Sequence, residues 1–309
     1  MSSESEIAVS SRTFSGTPAL VEELSKYFDA VRFNTTEALS GDALVSFIGS
    51  ARGLVVGLER IDESVLRRCP NLKIIAKYGV GLDNIDTDAC ERRGVQIGWT
   101  GGVNRLSVAE MTLGFMLALS RNLYKTSARL KRGEWDKNGG FQLSGKTVGI
   151  IGVGHVGKEV IRLLKPFGCR ILVNDIIDQA GYYRDEGVEE TSKEKVFRQA
   201  ELLSLHVPLT PETYFLINEE SIALMRRDAY LINTARGPIV KLEALTQALK
   251  SGRIAGAALD VYDEEPPTDR ELLSLDNLIC TPHTGGNSKE AVIAMGMSAI
   301  AHLRRYFRR

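Results

Sequence analysis

Three polar residues, Arg236, Glu265 and His283, each stand at or just beyond the end of a short apolar run. Arg236 closes residues 230–235 and precedes Gly237. Glu265 follows Leu259-Asp260-Val261 and precedes Pro266-Pro267. His283 follows residues 278–282 and leads into Gly285-Gly286. If those runs are parallel strands, all three residues lie at the carboxyl rim of one sheet, where open α/β sheets bind ligands. The trio suits the interconversion of a ketone and an alcohol beside a carboxylate. Histidine exchanges a proton near neutral pH, and arginine grips a carboxylate through two parallel hydrogen bonds. A carboxylate beside the histidine orients the ring and stabilises its charged form. Singly, the three read as a surface ion pair, a solvated loop acid and a turn residue; their weight comes from what precedes them.

What precedes them is Gly152-Val153-Gly154-His155-Val156-Gly157, directly after the apolar run Thr147-Val148-Gly149-Ile150-Ile151 and at the start of a helical pattern. In this setting the first glycine permits a tight turn, the second lets a pyrophosphate approach the backbone, and the third lets helix and strand pack closely. The phosphates then meet unpaired N–H groups at the positive end of a helix. Asp175, 18 positions after Gly157, ends the next strand pattern, where an acid accepts hydrogen bonds from ribose hydroxyls. Ile176 and Ile177 follow it, with no arginine to meet a 2′-phosphate, so the cofactor expected is NAD rather than NADP.

Elements able to hold these residues alternate along the 309-residue chain, a length suited to two α/β domains. The pattern predicts strands at 7–10, 31–33, 54–56, 72–76 and 95–98, and helices at 19–28, 43–50 and 63–68. A long helix is expected over 106–122, with Val108, Met111, Phe115 and Leu119 on a buried face. A polar arm containing Trp135 and Gly139-Gly140 follows it. The alternation then restarts, with strands at 147–151, 171–174, 202–205, 230–233, 255–259 and 278–281. The intervening helices are expected at 156–167, 219–225 and 242–251. A final helix over 289–309 has no strand after it and is expected to pack back on the first domain. The expected fold is two-domain α/β: a Rossmann-type doubly wound parallel sheet and a smaller flavodoxin-like unit.

Composition narrows the function classes. Lys+Arg and Asp+Glu both number 39, so no general field draws the chain to nucleic acid or an anionic membrane. The opening Met1-Ser2-Ser3-Glu4-Ser5-Glu6 does not read as a secretory signal. The most apolar helical stretch, 111–120, is far shorter than the roughly 20 residues a membrane span needs. Cys69, Cys90, Cys169 and Cys280 are scattered singly and read as buried packing residues in a reducing cytoplasm. Four histidines without a paired ligand spacing give no reason to expect a metal.

Motifs beyond the glycine turn make the pattern specific. They are Lys77-Tyr78-Gly79-Val80-Gly81-Leu82-Asp83-Asn84-Ile85-Asp86, Ser107-Val108-Ala109-Glu110, His206-Val207-Pro208-Leu209-Thr210 and Asn233-Thr234-Ala235-Arg236-Gly237. Ala258 through Pro266 and Thr281-Pro282-His283-Thr284-Gly285-Gly286 complete them. In these the chain resembles the D-isomer-specific 2-hydroxyacid dehydrogenase family, and within it the phosphoglycerate dehydrogenase-like branch. The resemblance implies hydride transfer between NAD(H) and C2 of a small 2-hydroxy or 2-keto acid, with Arg236, Glu265 and His283 catalytic. It implies that Val80 and Gly81 hold the substrate carboxylate, aided by Arg236. Gly152, Gly154, His155, Val156, Gly157, Asp175, His206, Pro208, Thr234, Asp260 and Gly286 would line the cofactor, with Thr234 and Asp260 near the carboxamide and Pro208 at the adenine.

The resemblance further implies a discontinuous substrate domain, 1–101 plus 287–309, around an NAD domain at 102–286. It implies a homodimer through the latter, with 106–122 and the Trp135 arm as candidate interface. Lys77, with Arg60 and Arg105 as helpers, could serve a substrate phosphate, which favours a D-3-phosphoglycerate substrate. Glyoxylate/hydroxypyruvate reductase is the alternative. A reading from another class, an NAD-sensing corepressor-like binding protein, would call for extra length that the chain does not have.

Overall fold

A computed structural model describes residues 6–308; residues 1–5 and Arg309, the last position of the helix expected over 289–309, lie outside the described residues. The chain divides into two compact units, Met1–Asn104 with Gly286–Arg309, and Arg105–Gly285.

The first unit is built on β1 (Ile7–Val9), β2 (Val31–Phe33), β3 (Gly53–Val56), β4 (Ile74–Lys77) and β5 (Gln96–Gly98). Their order is β2-β1-β3-β4-β5, and every pairing is parallel. That is the flavodoxin-like order. Side chains alternate across the sheet, so each face needs its own cover. Ala8, Leu54, Val56 and Ile75 face one way, into a core completed by Leu44, Ile48, Val65 and Leu66. Ile7, Val9, Val55 and Ile74 face the other, onto Leu20, Leu24, Met295, Ala299, Ile300 and Leu303. The final helix, Lys289–Phe307, therefore packs on this unit. Gly296 permits the fit, since a Cβ there would lie 2.3 Å from Leu20 Cδ1.

The second unit carries β6 (Thr147–Ile151), β7 (Arg170–Asn174), β8 (Glu189–Glu190), β9 (Leu202–Leu205), β10 (Tyr230–Asn233), β11 (Gly256–Leu259) and β12 (Leu278–Cys280). The order is β12-β11-β10-β9-β6-β7-β8, all parallel. The chain runs outward from β6 to β7 and β8, then returns to β6's other side at β9. This reversal opens the crevice in which doubly wound sheets hold ligands. One face packs on helix Arg105–Ser120 through Ala109, Phe115, Met116 and Leu119.

Differences from the sequence reading concern short elements. The helix expected over 106–122 stops at Ser120, because Asn122 adopts a left-handed backbone (φ 51°) and splits off a second helix, Leu123–Lys131. Helices Arg12–Ser15, Thr87–Arg92, Ala180–Glu186, Lys193–Gln199 and Arg270–Leu273, and strand β8, were not expected. Four of these helices carried a legible start: the Ser11, Asp86, Ser192 and Asp269 side chains cap the N–H groups of Phe14, Ala89, Lys195 and Leu272. Of the cysteines, Cys69 and Cys90 are buried, but Cys169 and Cys280 are half-buried, a correction to the expected uniform burial. Among the described residues no helix is long and apolar enough to cross a membrane, and no group of three His, Cys, Asp or Glu could hold a metal.

Candidate active site

Parallel pairing brings the ends of β10, β11 and β12 side by side, and the three polar residues leave from those ends. Asn233, fully buried, shapes the first turn: its Oδ1 accepts from Ala235 N–H (3.0 Å) and its Nδ2 donates to the Arg236 carbonyl (2.8 Å). Gly237 then lies against the next loop so closely that a Cβ would sit 2.0 Å from the Tyr262 carbonyl carbon. Only glycine lets the arginine turn and the Glu265 loop pack this way.

Tyr262 ties that loop to the third. Its buried hydroxyl donates toward the carbonyls of Leu259 (3.2 Å) and Thr281 (3.1 Å), and burial drives its phenol far above the ordinary range. Its own N–H donates to Glu265 Oε1 (3.1 Å). The Glu265 carboxylate meets His283 Nδ1 at 2.8 Å through Oε2 and 3.0 Å through Oε1. The ring is thus held at one nitrogen, Nδ1, by a carboxylate.

His283 itself has φ 52°, a left-handed conformation that costs a non-glycine residue roughly 1–2 kcal/mol. Asp260, 1% exposed, offsets that cost. Its Oδ1 accepts from Thr281 Oγ1 (2.5 Å) and Thr284 N–H (2.8 Å), and its Oδ2 from Gly285 N–H (2.7 Å). Hydrogen bonds to a charged group contribute about 1.5–3 kcal/mol each, so one buried carboxylate fixes the whole histidine turn. Thr234 is buried too, its hydroxyl 3.1 Å from that of Thr112.

The glycine turn joins β6 to helix His155–Leu164. Gly152 has φ 93°, and a Cβ there would lie 2.6 Å from the His206 carbonyl, across the crevice beside β6. A Cβ at Gly157 would lie 2.1 Å from Gly152 O, whereas Gly154 has nothing within 4 Å. Two glycines therefore serve packing and the middle one leaves open space at a helix N-terminus, the arrangement that suits a pyrophosphate. His155 and Val156 open that helix, with His155 exposed. Asp175 stands beside the turn, accepting from Val153 N–H (2.5 Å) and Ile177 N–H (3.0 Å). The neighbours Ile176 and Ile177 are exposed. His206 Nε2 lies 2.9 Å from Ser204 Oγ, and burial pushes its imidazole down to about 3, so it is neutral. Pro208 is exposed, its carbonyl taken by Thr213.

Other expected residues belong to the first unit. Gly286 falls there, against Asn104, and not in the unit of the glycine turn. Val80 and Gly81 are half-buried in the loop after β4. Lys77, placed at the end of β4, is 4% exposed. Its ammonium donates to the Gly57 carbonyl (2.5 Å) and Asn84 Oδ1 (2.7 Å). Its stem runs beneath Gly79, where a Cβ would lie 3.2 Å from Lys77 Cε. Asn84 in turn donates to the carbonyls of Gly57 and Glu59. The lysine braces the loop from below. Arg60 is exposed with Asp62 at 3.7 Å, and Arg105, in the second unit, pairs with Glu159 at 3.5 Å. Sequence reasoning missed the roles of Asn233, Tyr262 and Asn84, and it placed Asp260 at the cofactor without its hold on the histidine turn.

Residues 113–285 match the family model described as D-isomer specific 2-hydroxyacid dehydrogenase, NAD binding domain. The chain belongs to that family. It is an oxidoreductase, an NAD-dependent 2-hydroxyacid dehydrogenase, and the matched residues form its NAD-binding domain. D-3-phosphoglycerate dehydrogenase of Methanocaldococcus jannaschii is 39% identical over 297 residues; the match covers 94% of this chain but only 57% of that relative's length. Hydroxypyruvate reductase of Thermotoga maritima is 40% identical over 272 residues, covering 86% of this chain and 88% of the relative. Among solved structures, D-lactate dehydrogenase from Aquifex aeolicus, complexed with NAD and lactic acid, superposes with a TM-score of 0.87. It is 28% identical, with 98% of this chain and 95% of that one covered.

Proposed function

We propose that this dehydrogenase reduces small, unphosphorylated 2-keto acids, with hydroxypyruvate and glyoxylate as the substrates to test first. His283 is assigned as the proton donor, Glu265 as the group that orients it, and Arg236 as the clamp on carboxylate and carbonyl oxygen. The observation that carries these roles is the two-pronged Glu265 contact to His283 Nδ1 at the strand rim. The N–H groups of Val80 and Gly81 are assigned to the substrate carboxylate.

Bound NADH supplies the hydride that C2 receives. In the same step Nε2 of His283 gives its proton to the ketone oxygen, so the 2-hydroxy acid leaves neutral at that oxygen and the imidazole is left uncharged. Arg236 stabilises the developing oxygen charge through fixed N–H donors, which need no reorganisation during reaction. Gly154, Asp175 and the N-terminus of helix His155–Leu164 are the groups assigned to hold the cofactor's phosphates and ribose.

Lys77 argues against a substrate phosphate. A phosphate ligand would have to draw its ammonium away from the Gly57 carbonyl and Asn84. Arg60 stays in solvent. The phosphoglycerate reading retains one support, the likeness to the M. jannaschii enzyme. NADH oxidation against hydroxypyruvate, glyoxylate, pyruvate and 3-phosphohydroxypyruvate separates the two. We expect kcat/KM for an unphosphorylated acid to exceed that for the phosphorylated one at least tenfold, and Lys77→Ala to lower all of them alike. Preference for 3-phosphohydroxypyruvate, lost selectively in Lys77→Ala, would overturn the assignment.

A homodimer through the second unit is part of this reading. Helix Leu123–Lys131 has no fully buried residue, and Leu123, Leu130 and Trp135 are exposed large apolar groups of the kind an interface covers. The four thiols form no disulfide, which supports a reducing, cytoplasmic setting.

A further inference from the structure

The loop assigned to the substrate carboxylate is held by a residue from the neighbouring strand. Trp99 directly follows β5, and its indole Nε1–H donates to the Val80 carbonyl at 2.8 Å. The Val80–Gly81 peptide is trans, so its N–H points opposite to its C=O. Pinning the Val80 carbonyl to the indole therefore aims the Gly81 N–H away from Trp99. Among the described residues neither the Val80 nor the Gly81 N–H has a protein acceptor.

Trp99 is itself fixed from the final helix. Ser298 Oγ donates to Thr100 Oγ1 (3.0 Å), and Thr100 Oγ1 lies 2.9 Å from His302 Nε2. The Trp99 backbone also lies near the His302 ring. This needs close approach: a Cβ at Gly98 would lie 2.5 Å from His302 Cβ. Gly98 thus lets the helix grip the strand end at Trp99 and Thr100. Within the first unit a continuous chain of contacts runs from Lys289–Phe307 through Thr100 and Trp99 to the Val80–Gly81 peptide.

We propose that Trp99 is a positioning residue for substrate binding: its indole N–H orients the Val80–Gly81 peptide so that the Gly81 N–H meets the carboxylate of a 2-keto acid. The inference rests on the assignment of Val80 and Gly81 to that carboxylate. It acts on binding and not on the proton transfer at His283, so it marks KM and not kcat.

Trp99→Phe keeps an aromatic ring and removes the donor. The steady-state rates of the full-length variant should show KM for hydroxypyruvate and glyoxylate raised about tenfold, the cost of about one hydrogen bond. We expect kcat within about twofold and KM for NADH unchanged, and the dissociation constant of oxamate from the NADH complex should rise by the same factor as KM. A packing role alone would lower Tm without this split. Thr100→Val leaves the indole in place but loosens its tether, and should raise the same KM by a smaller factor, which keeps the test open if Trp99→Phe folds poorly. An active wild-type enzyme whose KM and oxamate affinity are unchanged in both variants would overturn the inference. A wild-type enzyme that turns over none of these acids would instead overturn the underlying functional reading, and this inference with it.

Discussion

Nδ1 of His283 lies 2.8 Å from Oε2 and 3.0 Å from Oε1 of Glu265, two residues 18 positions apart in the chain. The contact fixes the ring's orientation, a requirement for delivering a proton to one place repeatedly. Glu265 also accepts from Tyr262 N–H, so it is an anchored partner and not a loose surface acid.

Glu265→Gln tests that relationship. An amide keeps the size but replaces one acceptor oxygen with a donor, so half of its orientations oppose an Nδ1–H. We expect kcat to fall about 10- to 100-fold, with KM for NADH unchanged, by steady-state assay. Full activity in this variant would show that the ring needs no carboxylate partner.

Asp175 has two tasks that one substitution separates from its neighbours. It accepts from Val153 N–H within the glycine turn, and it stands where the ribose is expected. Asp175→Ala should raise the NADH dissociation constant at least tenfold while changing that for NADPH far less, so the ratio of the two narrows. Isothermal titration of both cofactors measures it. Equal wild-type affinity for the two would remove the role given to Asp175.

His206 makes a prediction about acid stability. Its imidazole is pushed down by burial to about 3 in the fold, from the ordinary 6.5. Below pH 6.5 the unfolded chain therefore takes up a proton that the folded one refuses. Its contribution to stability is present above pH 6.5 and is lost as pH falls from there toward 3. Tm should drop on acidification from pH 7 to 5, and the drop should be smaller in His206→Gln. An identical slope in the variant would mean that the ring takes up its proton in the fold as readily as in the unfolded chain.

Much of this was legible in the sequence because it repeats along the chain. Buried parallel strands read as apolar runs, and β2, β9 and β10 fall where the pattern put them. Glycine spacing marked the turn at Gly152 because Gly152 and Gly157 each answer a steric demand and Gly154 leaves open space between them. Contacts between distant residues were not legible. Lys77 has the type and place of a phosphate ligand, and nothing local reveals that Gly57 and Asn84 take its ammonium. Asp260 follows a strand as a ligand-facing acid would, yet its carboxylate serves a turn more than twenty residues on. The short helix Leu123–Lys131 was missed because none of its residues is fully buried and only Tyr124 packs, partly buried, against the core, so no apolar stripe marks it.

His283 is the group assigned to supply the proton that accompanies hydride transfer from NADH to a small 2-keto acid. The direct measurement is NADH oxidation at 340 nm with hydroxypyruvate and glyoxylate, in the wild-type enzyme and in His283→Ala, alongside NADH binding to each. Turnover in the wild type, a fall of about 10²–10⁴-fold in kcat for the variant, and NADH affinity within about twofold are expected. Undiminished turnover in His283→Ala would contradict the account.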